Sequence, residues 1–309
     1  MDMKPKILVI RQLALGDVLL VTPIIEQLHR DYNGNCQIDV LTLKPAVFAN
    51  NPYVHKVYTP QTYQEINCVY DRTVHLDLAY EKQPRLHITD AYALYAFGSP
   101  EKLEHKRAQL YSTLEDKTKI ANIHNTQIRG DYAVIHMRHD SWPSRNLSEQ
   151  TWKNIVQVLL DETDLKIVQV GSAQEFAFDH DPRLINMLSG FSIQELKELI
   201  ATSKLYVGID SGTLHIAATT NTPIVSLFTS AHHTLRMPLG RPASAPFVPV
   251  APRVDCYGCQ ANIQPPITGV VCHRGDPYSP PCKDAFAMQD IQRAIRKASE
   301  STLACVTEP

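Results

Sequence analysis

Two hydrophobic rhythms alternate along this chain. KILVI (6–10) is apolar enough for a buried strand, and Val18, Val21, Ile25 and Leu28 then recur at helical spacing. Pro23 either kinks that helix or stands in its first turn after Thr22. CQIDVLTL (36–43) predicts a second strand, and HKVYT (55–59) and RTVHLDL (72–78) predict shorter ones. TDAYALYAFG (89–98) predicts a helix with Thr89 as its cap and Gly98 as its stop. Strands alternating with helices in this way pair in parallel, with helices covering the sheet.

A polar stretch, 114–130, separates this half from a second one with the same rhythm. YAVIHM (132–137), KIVQVG (166–171), KLYVGI (204–209) and PIVSLF (223–228) predict strands. Three helices fall between them: 148–162 capped by Ser148, 192–203 opened by a Ser192–Glu195 capping box, and 212–220. From Pro238 prolines crowd in and the periodicity lapses. It returns in a last helix from Asp284 onward. The expected domains are 1–130 and 131–309, the second including a cysteine loop at 253–283 and a helix at 284–298.

Composition narrows the classes. With 44% hydrophobic residues in 309, each half can build a core. A net charge of −2 lacks the basic footprint of a nucleic-acid binder. No apolar run reaches the ~18 residues of a membrane span. MDMKPKILVI is too short in apolar residues for a signal peptide, so a cytoplasmic protein is expected. In that compartment, clustered cysteines point to metal or redox chemistry before disulfides.

Four stretches carry candidate chemistry. The 12 glycines include no G-x-G, so the dinucleotide fingerprint is absent and NAD is not expected. In YVGIDSGTLHIAA (206–218) a strand ends and a helix begins at Asp210, Ser211, Gly212 and Thr213. Backbone N–H groups there could bind an anion, with His215 on the same turn. Equally, Asp210 or Ser211 caps the helix and His215 is an ordinary surface residue. In RQLALGDVLLVTP (11–23), Gly16 permits a tight turn and Asp17 follows the first strand. Asp17 is either an N-cap, worth ~1 kcal/mol, or a carboxylate that takes a proton. Arg138 and Arg145 occupy the loop HMRHDSWPSRNLSEQTW (136–152) and either clamp a diphosphate or are merely solvated; Arg11 and Arg138 are further candidates for a phosphate or acceptor contact. Cys256 and Cys259 form a C-x2-C pair, followed by Cys272 and Cys282. That set suits a tetrahedral thiolate site for zinc or iron, or else is four free or disulfide-bonded thiols.

Together these stretches resemble the heptosyltransferase family of bacterial glycosyltransferases. ILVIRQLALGDVLLVTPIIEQLHRDY resembles its N-terminal signature, GIDSGTLHIAATTNTPIVSLF its C-terminal signature, and RNLSEQTW a basic residue ahead of a Trp-bearing helix. The resemblance implies the α/β GT-B fold, two Rossmann-like domains facing across a cleft. It implies inverting sugar transfer, heptose foremost, from a nucleotide-diphosphate donor such as ADP-heptose, with no divalent ion needed for the chemistry. Asp17 matches the general base. Arg145, Asp210, Ser211, Gly212 and His215 match donor-binding positions, with Phe191 and Glu175 aligned more loosely to residues on the base and ribose. The cysteine loop is similar to the four-cysteine iron motif of autotransporter heptosyltransferases and is read as a structural metal site. The acceptor is a glycan, a lipid-linked or lipopolysaccharide-core sugar, or a protein. Peripheral contact with the inner membrane and a homo-oligomeric state fit the resemblance. A nucleotide-sugar epimerase and a non-catalytic nucleotide-binding assembly protein stand as alternatives.

Overall fold

A computed structural model describes residues 4–64, 68–139, 141–173, 175–262, 272, 274, 276 and 279–304. The chain forms two compact units, Met1–Thr113 and Leu114–Pro309. Among the described residues no helix is long and apolar enough to cross a membrane.

The first unit runs β1 (Lys6–Ile10), α1 (Leu15–Leu19), α2 (Thr22–Asp31), β2 (Gln37–Leu41), β3 (Lys56–Tyr58), α3 (Pro60–Gln64), β4 (Arg72–His75) and α4 (Ile88–Phe97). Its sheet is parallel, in the order β3-β2-β1-β4. The chain therefore leaves β1 toward one edge and comes back on the other flank of β1. Parallel α/β sheets bind ligands at such a reversal, outside the carboxyl ends of the strands.

Local chemistry divides the helix that follows β1. The first piece stops at Leu19, and Pro23 stands in the first turn of α2, where a missing N–H costs no helical bond. Thr22 Oγ1 donates to Leu19 O at 2.8 Å across the break. The cap of α4 is His87, whose Nδ1 accepts from Thr89 N at 3.1 Å, rather than the expected Thr89. Gly98, at φ 79°, ends that helix as expected.

The second unit runs α5 (Leu114–Ile123), β5 (Tyr132–His136), α6 (Glu149–Glu162), β6 (Lys166–Gly171), β7 (Leu184–Leu188), α7 (Ile193–Ala201), β8 (Leu205–Ile209), α8 (Gly212–Ala218), β9 (Ile224–Leu227), β10 (Phe247–Val250) and α9 (Met288–Ala304). Its strands are parallel in the order β10-β9-β8-β5-β6-β7, so the reversal falls between β5 and β8. Ser148 caps α6, and the Ser192–Glu195 capping box opens α7.

Two strands that lack a clean sequence pattern lie at the edges of this sheet. LINML of β7 is half-buried on either side of an exposed Asn186. FVPV of β10 contains Pro249, which an edge strand tolerates. The polar stretch after residue 113 is helical in α5, which packs on α7, with Lys119 Nζ 2.7 Å from Glu195 Oε1. The last helix starts at Met288, later than expected. Asp284 instead accepts from Thr151 Oγ1 at 2.7 Å and from Ser148 Oγ. Ile291, Ala294, Ile295 and Ala298 of α9 join Trp152, Ile155 and Leu159 of α6 in one core. That burial accounts for the amphipathic pattern of α9.

Candidate active site

Asp17 does not cap α1. The N-cap is Ala14, at φ 44° and ψ 139°, and Asp17 is the third helical residue. The tight turn expected at Gly16 lies at Ala14 instead, and Gly16 is a buried helical residue. A side-chain-bearing residue at such a φ stores roughly 1–3 kcal/mol of strain.

The Asp17 carboxylate instead faces the loop after β4. Among the described residues its two side-chain hydrogen bonds fall on Oδ2, from Arg11 Nη2 at 2.5 Å and Tyr80 OH at 3.1 Å. Arg11 is 5% exposed and also faces Asp77 at 3.8 Å and Glu81 at 3.7 Å. Its guanidinium lies 5.3 Å from the Tyr80 ring centre and 5.8 Å from that of Tyr92. Burial opposes its charge, but Tyr92, Asp17, Tyr80 and Glu81 outweigh burial and hold Arg11 above the ordinary arginine range. Burial pushes the Glu81 carboxyl up, against the pull of Arg11. The Arg11 guanidinium is thus buried and paired with Asp17. Gln12 joins the loops after β1 and β4, its N and Nε2 donating to Asp77 at 2.9 and 3.0 Å.

A second arginine–carboxylate pair sits at the reversal of the second sheet. Asp210, 2% exposed, directly follows β8, and its Oδ2 lies 3.2 Å from Nη1 of Arg145 in the loop after β5. Among the described residues neither Asp210 oxygen has a hydrogen-bond partner. Burial works against ionisation, yet Arg145 and Arg236, with His215 and His139, hold the carboxyl below its ordinary value. Ser211 takes the N-cap position of α8 without a capping hydrogen bond, and its Oγ lies 3.2 Å from His136 Nδ1. His215 is 4% exposed, so it is not the surface residue that one sequence reading allowed. Gly212 begins α8, and Thr213 is buried in its first turn.

The other expected donor residues are less concentrated. Glu175 Oε1 accepts from Ser172 N at 2.9 Å, its carboxylate pressed on Gly171 where a Cβ would lie 2.1 Å from Oε1. Phe191 is half-buried ahead of α7, and Arg138 is exposed after β5; both stand outside the buried pair. Tyr80, His136, His139, Arg236 and Gln260 escaped the sequence reading. Strand order is the signal that finds them: Arg236 lies in the segment leaving β9, beside β8.

Cys256, Cys259, Cys272 and Cys282 line one cavity of about 50 Å³, together with Ser144, Ser230, Arg274, Pro280 and Pro281. All four are free thiols. Burial, then the other three cysteines, pushes the Cys282 thiol up to about 12, and Cys259 is raised for the same reasons. Among the described residues no group of three or more His, Cys, Asp or Glu stands at metal-ligating spacing. The four thiols nevertheless line one space larger than a water, and their residue type is that of a thiolate-held ion.

Two parallel α/β units of this kind are the fold of GT-B glycosyltransferases, and the chain is a glycosyltransferase. The profile of glycosyltransferase family 9 (heptosyltransferase) matches residues 75–256, more than half of the chain, which belongs to that family. No curated protein matches it by sequence. Among solved structures, a family 9 glycosyl transferase from Veillonella parvula superposes with a TM-score of 0.74 at 15% identity, covering 97% of this chain and 98% of that one. The ADP-heptose lps heptosyltransferase II of E. coli gives 0.68 at 16%, covering 96% and 99%. The dodecameric iron-containing heptosyltransferase TibC of enterotoxigenic E. coli, in complex with ADP-D-beta-D-heptose, gives 0.70 at 14%, covering 97% and 78%. At these identities the likeness shows the fold.

Proposed function

We propose that this chain transfers a heptose from ADP-heptose to an acceptor hydroxyl with inversion at the anomeric carbon. The first unit presents the acceptor to Asp17, and the second holds the donor. Asp17 is the general base. With Oδ2 held by Arg11 and Tyr80, Oδ1 takes the proton as the acceptor oxygen attacks the anomeric carbon. The bond from that carbon to the diphosphate breaks on the opposite face. The Arg145 guanidinium neutralises the departing diphosphate, where negative charge develops. Asp210 keeps Arg145 oriented between turnovers. Ser211, Gly212, Thr213 and His215 flank the phosphates, and Glu175 and Phe191 take the ribose and base. The ADP-heptose held by TibC supports the choice of donor.

One observation carries the proposal: Asp17 is turned from the capping position into a buried cation–phenol cradle at a sheet reversal. The test is Asp17→Asn. ADP affinity should persist while transfer falls roughly 10²–10⁴-fold; near-normal turnover overturns the assignment.

The four cysteines would hold a zinc or iron ion. When bound, such an ion supplies folding free energy to a loop with little core of its own.

A further inference from the structure

The cysteine cavity is built against the donor-binding loop. Ser144, the residue before Arg145, and Ser230 both line it. They are 2% and 4% exposed, and among the described residues neither Oγ has a hydrogen-bond partner. Buried hydroxyls without a partner are costly.

Gln260, next to Cys259, bridges the cavity and the arginine. Its N–H donates to Ser230 O at 2.8 Å, and its Oε1 accepts from Arg145 Nη2 at 3.0 Å. The other end of that guanidinium, Nη1, faces Asp210 at 3.2 Å. Arg145 Cζ lies 5.1 Å from the Trp142 ring centre. The Ser144 carbonyl accepts from Thr229 Oγ1 at 3.0 Å, which ties the Arg145 loop to the end of β9. A short physical chain thus runs from Cys259 through Gln260 and Arg145 to Asp210.

A free arginine side chain loses rotamer freedom when it binds, so one already held on two sides binds a diphosphate at lower cost. Asp210 provides one side from the position directly after strand β8. Gln260 provides the other from a single 3-10 turn, Cys259–Asn262, beside the thiols. An ion held by the neighbouring thiols would fix that turn.

We propose that Gln260 is a positioning residue for Arg145, and that metal occupancy of the four-cysteine cavity sets affinity for the donor diphosphate. This rests on Arg145 as a donor-binding residue. The cavity then does more than fold its own loop: loss of the ion loosens Gln260 and releases one side of the guanidinium. Only the diphosphate part of donor binding depends on it.

Calorimetric titration with ADP and with adenosine tests this, on full-length protein loaded with zinc or iron and verified by elemental analysis. Removing the metal should weaken ADP about tenfold and leave adenosine nearly unchanged, the scale of one charge-assisted hydrogen bond. Gln260→Ala should retain its metal, weaken ADP by a similar factor, spare adenosine, and lose most of the response to chelation. Unchanged ADP affinity in metal-loaded Gln260→Ala overturns the proposal, as does failure of the wild type to retain either metal. Arg145→Ala separates the two failures. If it weakens ADP while Gln260→Ala does not, the donor site stands and the coupling falls. If neither variant weakens ADP, both fall.

Discussion

Arg11 donates to Asp17 across the turn between β1 and α1, Nη2 to Oδ2 at 2.5 Å, with side chains only 6% and 13% exposed. Six residues apart in sequence, they meet because Ala14 takes a positive φ and turns the start of α1 back over the end of β1. Tyr80 closes the pair from the loop after β4.

Removing the cation alone should be severe. Arg11→Met leaves Asp17, Asp77 and Glu81 without their shared partner and should cost about 3–5 kcal/mol, the scale for breaking a buried ion pair. Arg11→Lys keeps the charge but loses the forked reach and should cost less. Urea unfolding of both variants measures the difference, and equal stability of Met and Lys would show that the charge is not what the carboxylates need.

Tyr80→Phe isolates the phenol. It removes one hydrogen bond from Asp17 Oδ2 while keeping the ring near Arg11. The expected loss is about 1 kcal/mol of stability, with a several-fold fall in kcat and unchanged ADP affinity. Steady-state kinetics with a fall in KM alone would remove Tyr80 from the acceptor side of the reaction.

Acid should act through Asp210. Its carboxyl is held below the ordinary value by Arg145, Arg236, His215 and His139, against burial. A depressed carboxyl pKa contributes stability that is fully present above the unfolded value of ~3.9 and is lost as pH falls through the folded value below it. Asp210→Asn should therefore be less stable than wild type at pH 7 and should lose less on going from about pH 5 to about pH 3. Parallel pH–stability curves would remove Asp210 from the acid response.

Gly258 is where the cysteine turn is least forgiving. Its φ is +78°, and a Cβ there would lie 2.9 Å from His232 Cβ, an atom fixed to its own backbone. Gly258→Ala should cost roughly 1–3 kcal/mol. It should also lower metal retention, because this turn joins Cys256 to Cys259, whose N donates to Cys256 O at 3.1 Å. Thermal melting with elemental analysis checks both; wild-type values for each would place the strain elsewhere.

Buried strands and capped helices were legible because their signals are local. KILVI, YAVIHM and KLYVGI read as strands, Ser148 and the Ser192–Glu195 box as helix starts, and Gly98 as a stop. The edge strands β7 and β10 were not legible, since one half-buried neighbour imposes no regular pattern. The caps at His87 and Ala14 escaped because neither residue type is a usual cap. Asp17 looked like a cap for the opposite reason: its type and place suit one, and only the backbone at Ala14 rules it out.

By itself, the sequence determined the α/β class, the parallel rhythm of both halves and the short list of residues able to do chemistry. Those depend on periodicity and residue type along a few turns of chain. Tertiary structure alone decided the pairings: Asp17 with Arg11 and Tyr80, Asp210 with Arg145, and Arg145 with Gln260. Partners separated by 63, 65 or 115 positions meet only through strand order. The sheet reversal beside β1 and between β5 and β8 brings loops from distant sequence to one edge, and no local pattern encodes that reversal.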